Sequence, residues 1–450
     1  MADSADVVVV GMGPGGEEVA GRLAERGLDV VGIDSNLVGG ECPYWGCIPS
    51  KMMVRASNLL AEARRIPGMS GSAKVVPDWR QVAHRIREAT DDWNDRVAVD
   101  RFEKKGGRFV RGTGRLVGAG AVAVGDRRFE VRRGVVLATG ARSWTPPIPG
   151  LSQVPYWTNR EAIEVAELPR SLAVIGGGAI AVELGQVFAR FGVNVAIVEA
   201  AERLLPQEEP EAAELLAGVL RSEGVGIEVG AQVNSVSYDG TSFEVDLGGR
   251  EPLHAERLLV AAGRRVDLSS LGLDTVGLDP TARSLATDDH LRVAQGIWAV
   301  GDVTGVAGFT HVSMYQAAIA IADILGEAHP SADYRAIPRV TFTDPEIGSV
   351  GLSEEAARSR GISVRTGIAR IPDSIRGWIH KVGNDGLIKL VEDAERGVLV
   401  GALSAGPVGG EVLGLLTLAV HAQVPTEELR SMIYAYPTFH RAIEVALADL

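Results

Sequence analysis

The only two cysteines of this 450-residue chain stand five positions apart, in the run Gly39-Gly40-Glu41-Cys42-Pro43-Tyr44-Trp45-Gly46-Cys47-Ile48-Pro49-Ser50-Lys51. A structural disulfide stabilises chiefly by closing a long loop, and joining Cys42 to Cys47 would constrain almost nothing. Two thiolates with no nearby histidine or third cysteine also fall short of the four ligands of a structural zinc site, so no metal centre is expected. The pair reads either as two small buried apolar side chains or as redox chemistry. The bracketing aromatics, the glycine and the Pro-Ser helix start favour redox chemistry.

The elements that would position such a pair begin at the N-terminus. Residues 7–10 read as a buried strand, Gly11-Met12-Gly13-Pro14-Gly15-Gly16 as a turn, 17–26 as a helix and 28–33 as a second strand ending at Asp34. This order of strand, glycine turn, helix, strand and acid defines a dinucleotide site. Gly11 permits the tight turn, Gly13 lets the backbone approach a pyrophosphate, and Gly16 lets the helix pack on the strand. The helix N-terminus faces the phosphates, and Asp34 can accept hydrogen bonds from a ribose diol. The pattern returns at Gly176-Gly177-Gly178-Ala179-Ile180-Ala181, followed by a strand over 194–198 and Glu199. Two dinucleotides are therefore expected. Ala181 is small enough to stand for the third glycine. Glu199 would bond a 2′-hydroxyl and repel a 2′-phosphate, which favours NADH over NADPH. Arg203, close behind, could soften that repulsion, so NADPH stays open.

Three further strands run into small-residue turns: one into Ala138-Thr139-Gly140, one into Ala262-Gly263-Arg264, and one into Gly301-Asp302. Taken alone, Asp302 reads as an ordinary loop aspartate after glycine. From about residue 336 the pattern changes, with strand-like stretches at 339–342 and 386–391 and helical ones at 408–422 and 438–450. The length implies two to four domains. The net charge of −13 disfavours nucleic acid and anionic membranes as partners. No segment approaches the roughly 20 apolar residues of a membrane span. The run Met1-Ala2-Asp3-Ser4-Ala5-Asp6 is acidic where a signal peptide would be basic. A cytoplasmic location is expected, where a close cysteine pair stays reduced and is usually catalytic.

Over nearly its whole length the chain resembles the FAD-dependent pyridine nucleotide disulfide oxidoreductases, the family of dihydrolipoamide dehydrogenase, glutathione reductase and mercuric reductase. The resemblance rests on both glycine fingerprints, CxxxxC followed by Ile-Pro-Ser-Lys, Ala138-Thr139-Gly140, Glu183, Ala262-Gly263-Arg264, Gly301-Asp302, and Phe342-Thr343-Asp344-Pro345-Glu346. It implies FAD on the first fingerprint, with Asp34 at the adenosine ribose, Asp302 at the ribityl and pyrophosphate region, and Gly40, Glu41, Gly114 and Arg264 along the same site. It implies NAD(P)H on the second fingerprint, Cys47 beside the flavin, Cys42 facing substrate, and a Lys51–Glu183 ion pair near flavin N5. An expected helix over 48–63 would place its partial positive end and Lys51 near Cys47, favouring thiolate there. Cys42, in the turn before, is expected to be the more accessible sulfur and the better nucleophile.

The chain departs from the family where the base should be. Relatives place a His-Pro near the C-terminus, oriented by a glutamate five residues later and supplied across a dimer interface. Here the segment is Tyr434-Ala435-Tyr436-Pro437-Thr438-Phe439-His440-Arg441, with Tyr436 at the histidine position and Arg441 at the glutamate position. A phenol with a pKa near roughly 10 accepts protons poorly at neutral pH. His440 is a candidate substitute, although a helix starting near Thr438 would point it elsewhere. Mercuric reductases also carry tyrosine in this region but add a C-terminal cysteine pair that is missing here, which disfavours a mercury role.

The expected fold is α/β: two Rossmann-like dinucleotide-binding domains, as in glutathione reductase, plus a C-terminal α+β dimerisation domain. FAD-binding segments at 1–147 and 264–335 would flank an NAD(P)H domain at 148–263, with an interface domain at 336–450. The expected activity carries electrons from NADH through FAD to the Cys42/Cys47 disulfide of a homodimer, then to a disulfide or other thiol-reactive acceptor. The alternatives are a quinone or dye reductase acting directly from the flavin, and a FAD-bearing redox sensor of low turnover.

Overall fold

The computed structural model describes residues 3–450, so Met1 and Ala2 of the acidic N-terminal run lie outside the described residues. The chain divides into two compact units, each assembled from separated segments: residues 1–49, 84–144 and 264–333 in one, and 50–83, 145–263 and 334–450 in the other.

The first unit is built on a sheet with the order Arg292–Ala294, Ile297–Ala299, Arg127–Leu137, Asp3–Val10, Val30–Asp34, Arg108–Arg111. Asp3–Val10 lies between two parallel neighbours, pairing Val7 to Val10 with Val30 to Ile33 on one side and with Gly134 to Leu137 on the other. A strand covered on both faces needs apolar residues at every position rather than every second one. Val7 and Val9 accordingly join one core with Met12, Val19, Leu23, Ala320 and Ile324, while Val8 and Val10 join another with Ile33, Phe129, Leu271 and Leu273. Burying each such side chain contributes about 1.5–3 kcal/mol. Helices Pro14–Glu25 and Thr310–Leu325 cover the first of these faces.

The second unit holds a parallel sheet in the order Gly226–Val229, Asn194–Glu199, Ser171–Ile175, Arg257–Val260. A separate five-stranded antiparallel sheet runs Pro338–Thr341, Glu346–Gly351, Val398–Gly406, Leu387–Asp393, Val364–Arg370. Helices Gly409–His421 and Arg441–Ala448 pack on that sheet through Leu413, Leu416, Ile443 and Leu447. The last helix starts at Arg441 rather than near Thr438, because Pro437 and the turn closed by Thr438 Oγ1 on the Ala435 carbonyl delay it. A short helix, Thr426–Ser431, precedes it. No helix among the described residues is long and apolar enough to cross a membrane.

Candidate active site

The first glycine turn follows from sterics. Gly11 has φ +96°, and a Cβ there would meet the Ala138 carbonyl oxygen at 2.3 Å; one on Gly16 would meet the Gly11 carbonyl oxygen at 1.9 Å. Gly13 has open space before it and caps helix Pro14–Glu25 without any side-chain hydrogen bond, so the first N–H groups of the helix are left for an anion. Asp34 accepts from the N–H groups of Met12 and Asn36, both at 2.7 Å, while burial pushes its carboxyl above the usual range. Gly40, at φ +66°, caps the short helix Glu41–Tyr44, and a Cβ there would meet the Gly13 Cα at 2.9 Å. Gly114 lies inside, against Val10 and Ile33. Ala138 donates its N–H to the Val10 carbonyl, and Gly140 turns with φ +68°.

Arg264 donates to the Ala141 carbonyl and sets its Nε 3.6 Å from Asp302 Oδ2. Burial is the main influence on Asp302 and raises its carboxyl, with Arg264 opposing and Glu41 assisting. Gly301 before it donates to Gln316 Oε1 at 2.7 Å, and Gln316 Nε2 donates to Thr304 Oγ1 at 3.1 Å. Gln316, fully buried on helix Thr310–Leu325, thereby fixes the Gly301-Asp302 turn, a role with no local sequence signal.

The cysteines lie in the same unit. Cys42 sits on helix Glu41–Tyr44, not in a turn, and is half-buried; Cys47 opens helix Cys47–Arg64 and is the exposed sulfur, the reverse of the expected accessibility. Gly46 allows this, since a Cβ there would meet the Glu41 carbonyl oxygen at 3.0 Å. The sulfurs are unbonded. A hydrogen bond to Cys47, then burial, push the Cys42 thiol up. Thr310 Oγ1 lies 3.4 Å from Cys47 Sγ and also bonds to Cys42, a contact that spans most of the chain and that sequence reading missed. Tyr44 and Trp45 are buried, and the Trp93 indole N–H donates to the Tyr44 carbonyl at 3.2 Å.

In the second unit the second glycine turn repeats the first. A Cβ on Gly176, at φ +109°, would meet the Ala261 carbonyl oxygen at 2.4 Å, Gly178 faces open space, and Ala181 is fully buried. Glu199 accepts from Gly177 N–H at 2.5 Å and Ala201 N–H at 2.7 Å. Arg203 turns instead to the Pro206 carbonyl. Gly263, at φ +111°, ends this segment. Lys51 Nζ donates to Glu183 Oε2 at 2.7 Å, Phe342 N–H donates to Glu183 Oε1 at 2.8 Å, and the ammonium lies 4.7 Å from the Phe342 ring centroid. Gln186, one turn further on the Glu183 helix, accepts from Asp344 N–H and donates to its carbonyl, anchoring the Phe342 segment.

Tyr436 is 62 % exposed with the Arg441 guanidinium 5.0 Å from its ring centroid, and Arg441 Nε is 3.2 Å from Glu444. His440 is exposed just before helix Arg441–Ala448. Both glycine turns offer open, uncapped helix N-termini beside a carboxylate already held by backbone N–H groups, so the residues fit two dinucleotides.

Residues 5–321 match the family described as pyridine nucleotide-disulphide oxidoreductase, and residues 337–447 match its dimerisation domain. The chain belongs to the class I pyridine nucleotide-disulfide oxidoreductase family, whose members bind FAD and pyridine nucleotides. A dihydrolipoyl dehydrogenase of Chlorobaculum tepidum is 34 % identical over 464 residues, covering 100 % of this chain and 97 % of the relative. A mercuric reductase of Staphylococcus aureus is 31 % identical over 448 residues, covering 98 % of this chain and 81 % of the relative. Among solved structures, the HOCl-induced flavoprotein disulfide reductase RclA from Escherichia coli superposes with TM-score 0.85 at 27 % identity, covering 98 % of this chain and 99 % of that one. The chain is therefore a FAD-dependent pyridine nucleotide-disulfide oxidoreductase with a mixed α/β fold.

Proposed function

We propose that the protein is a homodimeric, NADH-dependent enzyme that delivers two electrons by way of FAD to the Cys42/Cys47 pair and then to a disulfide or another thiol-reactive acceptor in the cytoplasm. In this reading FAD occupies segments 1–147 and 264–335, NADH the segment 148–263, and residues 336–450 form the subunit interface. FAD held by the first glycine turn and Asp34 would supply the two-electron chemistry that links NADH to a disulfide. For a disulfide acceptor, NADH, one proton and the disulfide become NAD⁺ and two thiols.

The chain's own residues supply the rest. The glycine turns receive pyrophosphates on helix N-termini, and Asp34 and Glu199 receive ribose hydroxyls. The backbone N–H groups already on Glu199 hold its charge where a 2′-phosphate would sit, which supports NADH. Glu183 fixes Lys51 so that its cationic charge is available to the flavin ring. Cys42 must lose its proton before it can attack an acceptor, and no histidine dyad draws it off; Tyr436 is an exposed phenol beside a guanidinium, with His440 next to it.

The observation that carries the proposal is the hydrogen-bonded pair of unbonded sulfurs beside Thr310, in the unit that holds the first fingerprint. The greater exposure of Cys47 and the missing dyad favour a second reading, in which a quinone takes electrons directly from the flavin. Cys42→Ser separates the two. The relay predicts at least a hundredfold loss of NADH-dependent disulfide reduction with quinone reduction kept. Disulfide reduction that survives the substitution overturns it.

A further inference from the structure

Away from both glycine turns, the first unit places His290, Asp323 and His329 together, with one ring nitrogen from each histidine and one Asp323 oxygen all within 4.8 Å of one another. Asp323 lies near the end of helix Thr310–Leu325, His329 in the segment after it, and His290 just before strand Arg292–Ala294. The three come together only through the fold, which is why reading the cysteine run for metal ligands could not reveal them.

The hydrogen bonding around the rings turns lone pairs inward. His329 Nδ1 lies 3.0 Å from the Pro330 carbonyl oxygen, so that nitrogen carries the proton and Nε2 is left as an acceptor. That Nε2 faces Asp323 Oδ1 at 3.6 Å. His290 turns Nε2 toward Asp289 Oδ1, also at 3.6 Å, while its Nδ1 is buried and has no hydrogen-bond partner. The two rings meet edge to face with centroids 4.9 Å apart. The Asp323 carboxylate is held from behind by Arg292, through Nε and Nη2 at 2.6 Å each, and by the Trp298 indole N–H at 2.7 Å.

Two imidazoles and a carboxylate that converge in this way are held together by sharing a cation, either a proton or a metal ion. Hydrogen bonds of this type run about 2.7–3.2 Å, shorter than the His329–Asp323 separation. Two ligands held tetrahedrally at about 2.0–2.1 Å from one zinc ion stand about 3.3 Å apart; the His329–Asp323 pair at 3.6 Å is near that spacing, and the three ligand atoms, all within 4.8 Å, would draw inward on an ion. Asp289 behind His290 and the Pro330 carbonyl behind His329 are the outer partners that commonly orient metal-bound imidazoles. Imidazole with one carboxylate suits a divalent ion of the zinc class.

We propose that His290, Asp323 and His329 bind a divalent transition-metal ion such as zinc, with water completing its shell. The ion clamps the end of helix Thr310–Leu325 and the segment after it to strand Arg292–Ala294. The test is calorimetric titration of zinc chloride into the FAD-loaded enzyme, oxidised so that Cys42 and Cys47 are paired and do not compete. The expected result is one zinc per chain, with binding at least tenfold weaker in His290→Ala, His290→Gln and His329→Ala. No uptake by the parent enzyme, or uptake undiminished by the histidine replacements, overturns the proposal. Should a variant fail to fold, anomalous diffraction from zinc-soaked crystals of the parent decides: a peak bonded to both histidines supports the site, and its absence refutes it. Neither result depends on the electron acceptor.

Discussion

Glu183 is 4 % exposed and has two partners, the Lys51 ammonium and the Phe342 N–H. Glu183→Ala removes both bonds at once. The Lys51 side chain is 35 % exposed, so solvent screening holds its share to about 1 kcal/mol. The Phe342 N–H loses its acceptor inside the protein, which costs about 1–3 kcal/mol. Together these give about 2–4 kcal/mol of local stability at the Phe342 segment, or roughly 30- to 1000-fold faster amide exchange at about 1.4 kcal/mol per decade. Hydrogen–deuterium exchange read by mass spectrometry on peptides covering residues 340–345 measures it directly. Glu183→Gln keeps an acceptor for the N–H and should recover most of the protection while still losing the ion pair. Exchange at Phe342 within threefold of the parent in Glu183→Ala would refute the reasoning, because Glu183 would then not be holding that segment.

Other consequences follow from single contacts. Gly16→Ala places a methyl 1.9 Å from the Gly11 carbonyl oxygen, so purified protein should retain less than about a tenth of its FAD, read from flavin absorbance per chain. Glu199→Ala should lower kcat/KM for NADH about tenfold and leave NADPH unchanged or improved, moving the cofactor ratio toward NADPH; an unchanged ratio would remove Glu199 from nucleotide selection. Burial, with Glu444 nearby, pushes the Tyr434 phenol up to about 12. An unfolded chain ionises this group near roughly 10, so it contributes nothing to pH dependence below that, and stability falls by about 1.4 kcal/mol per pH unit between the two values. Tyr434→Phe should flatten the fall in urea midpoint between pH 10 and 12; identical alkaline slopes would contradict the assignment.

Legibility in the sequence tracked locality. The glycine turns were readable because each demands glycine at fixed short offsets, and the four valines of Asp3–Val10 announced a strand covered on both faces. Relations carried by distant residues were not readable. Thr310 beside Cys47, Gln316 under Gly301 and Trp93 on the Tyr44 carbonyl each join segments far apart in the chain, where no periodicity or motif links them. Accessibility of the sulfurs failed for a related reason. An exposed Cys42 requires a turn at that point, whereas Gly40 starts a short helix there and leaves Cys42 half-buried.

The central claim is that the two cysteines carry electrons, and anaerobic titration of the oxidised enzyme with NADH tests it most directly. The account predicts uptake of four electrons per FAD, with a long-wavelength thiolate-to-flavin absorption band appearing after the first two. Uptake of only two electrons, without that band, would contradict it.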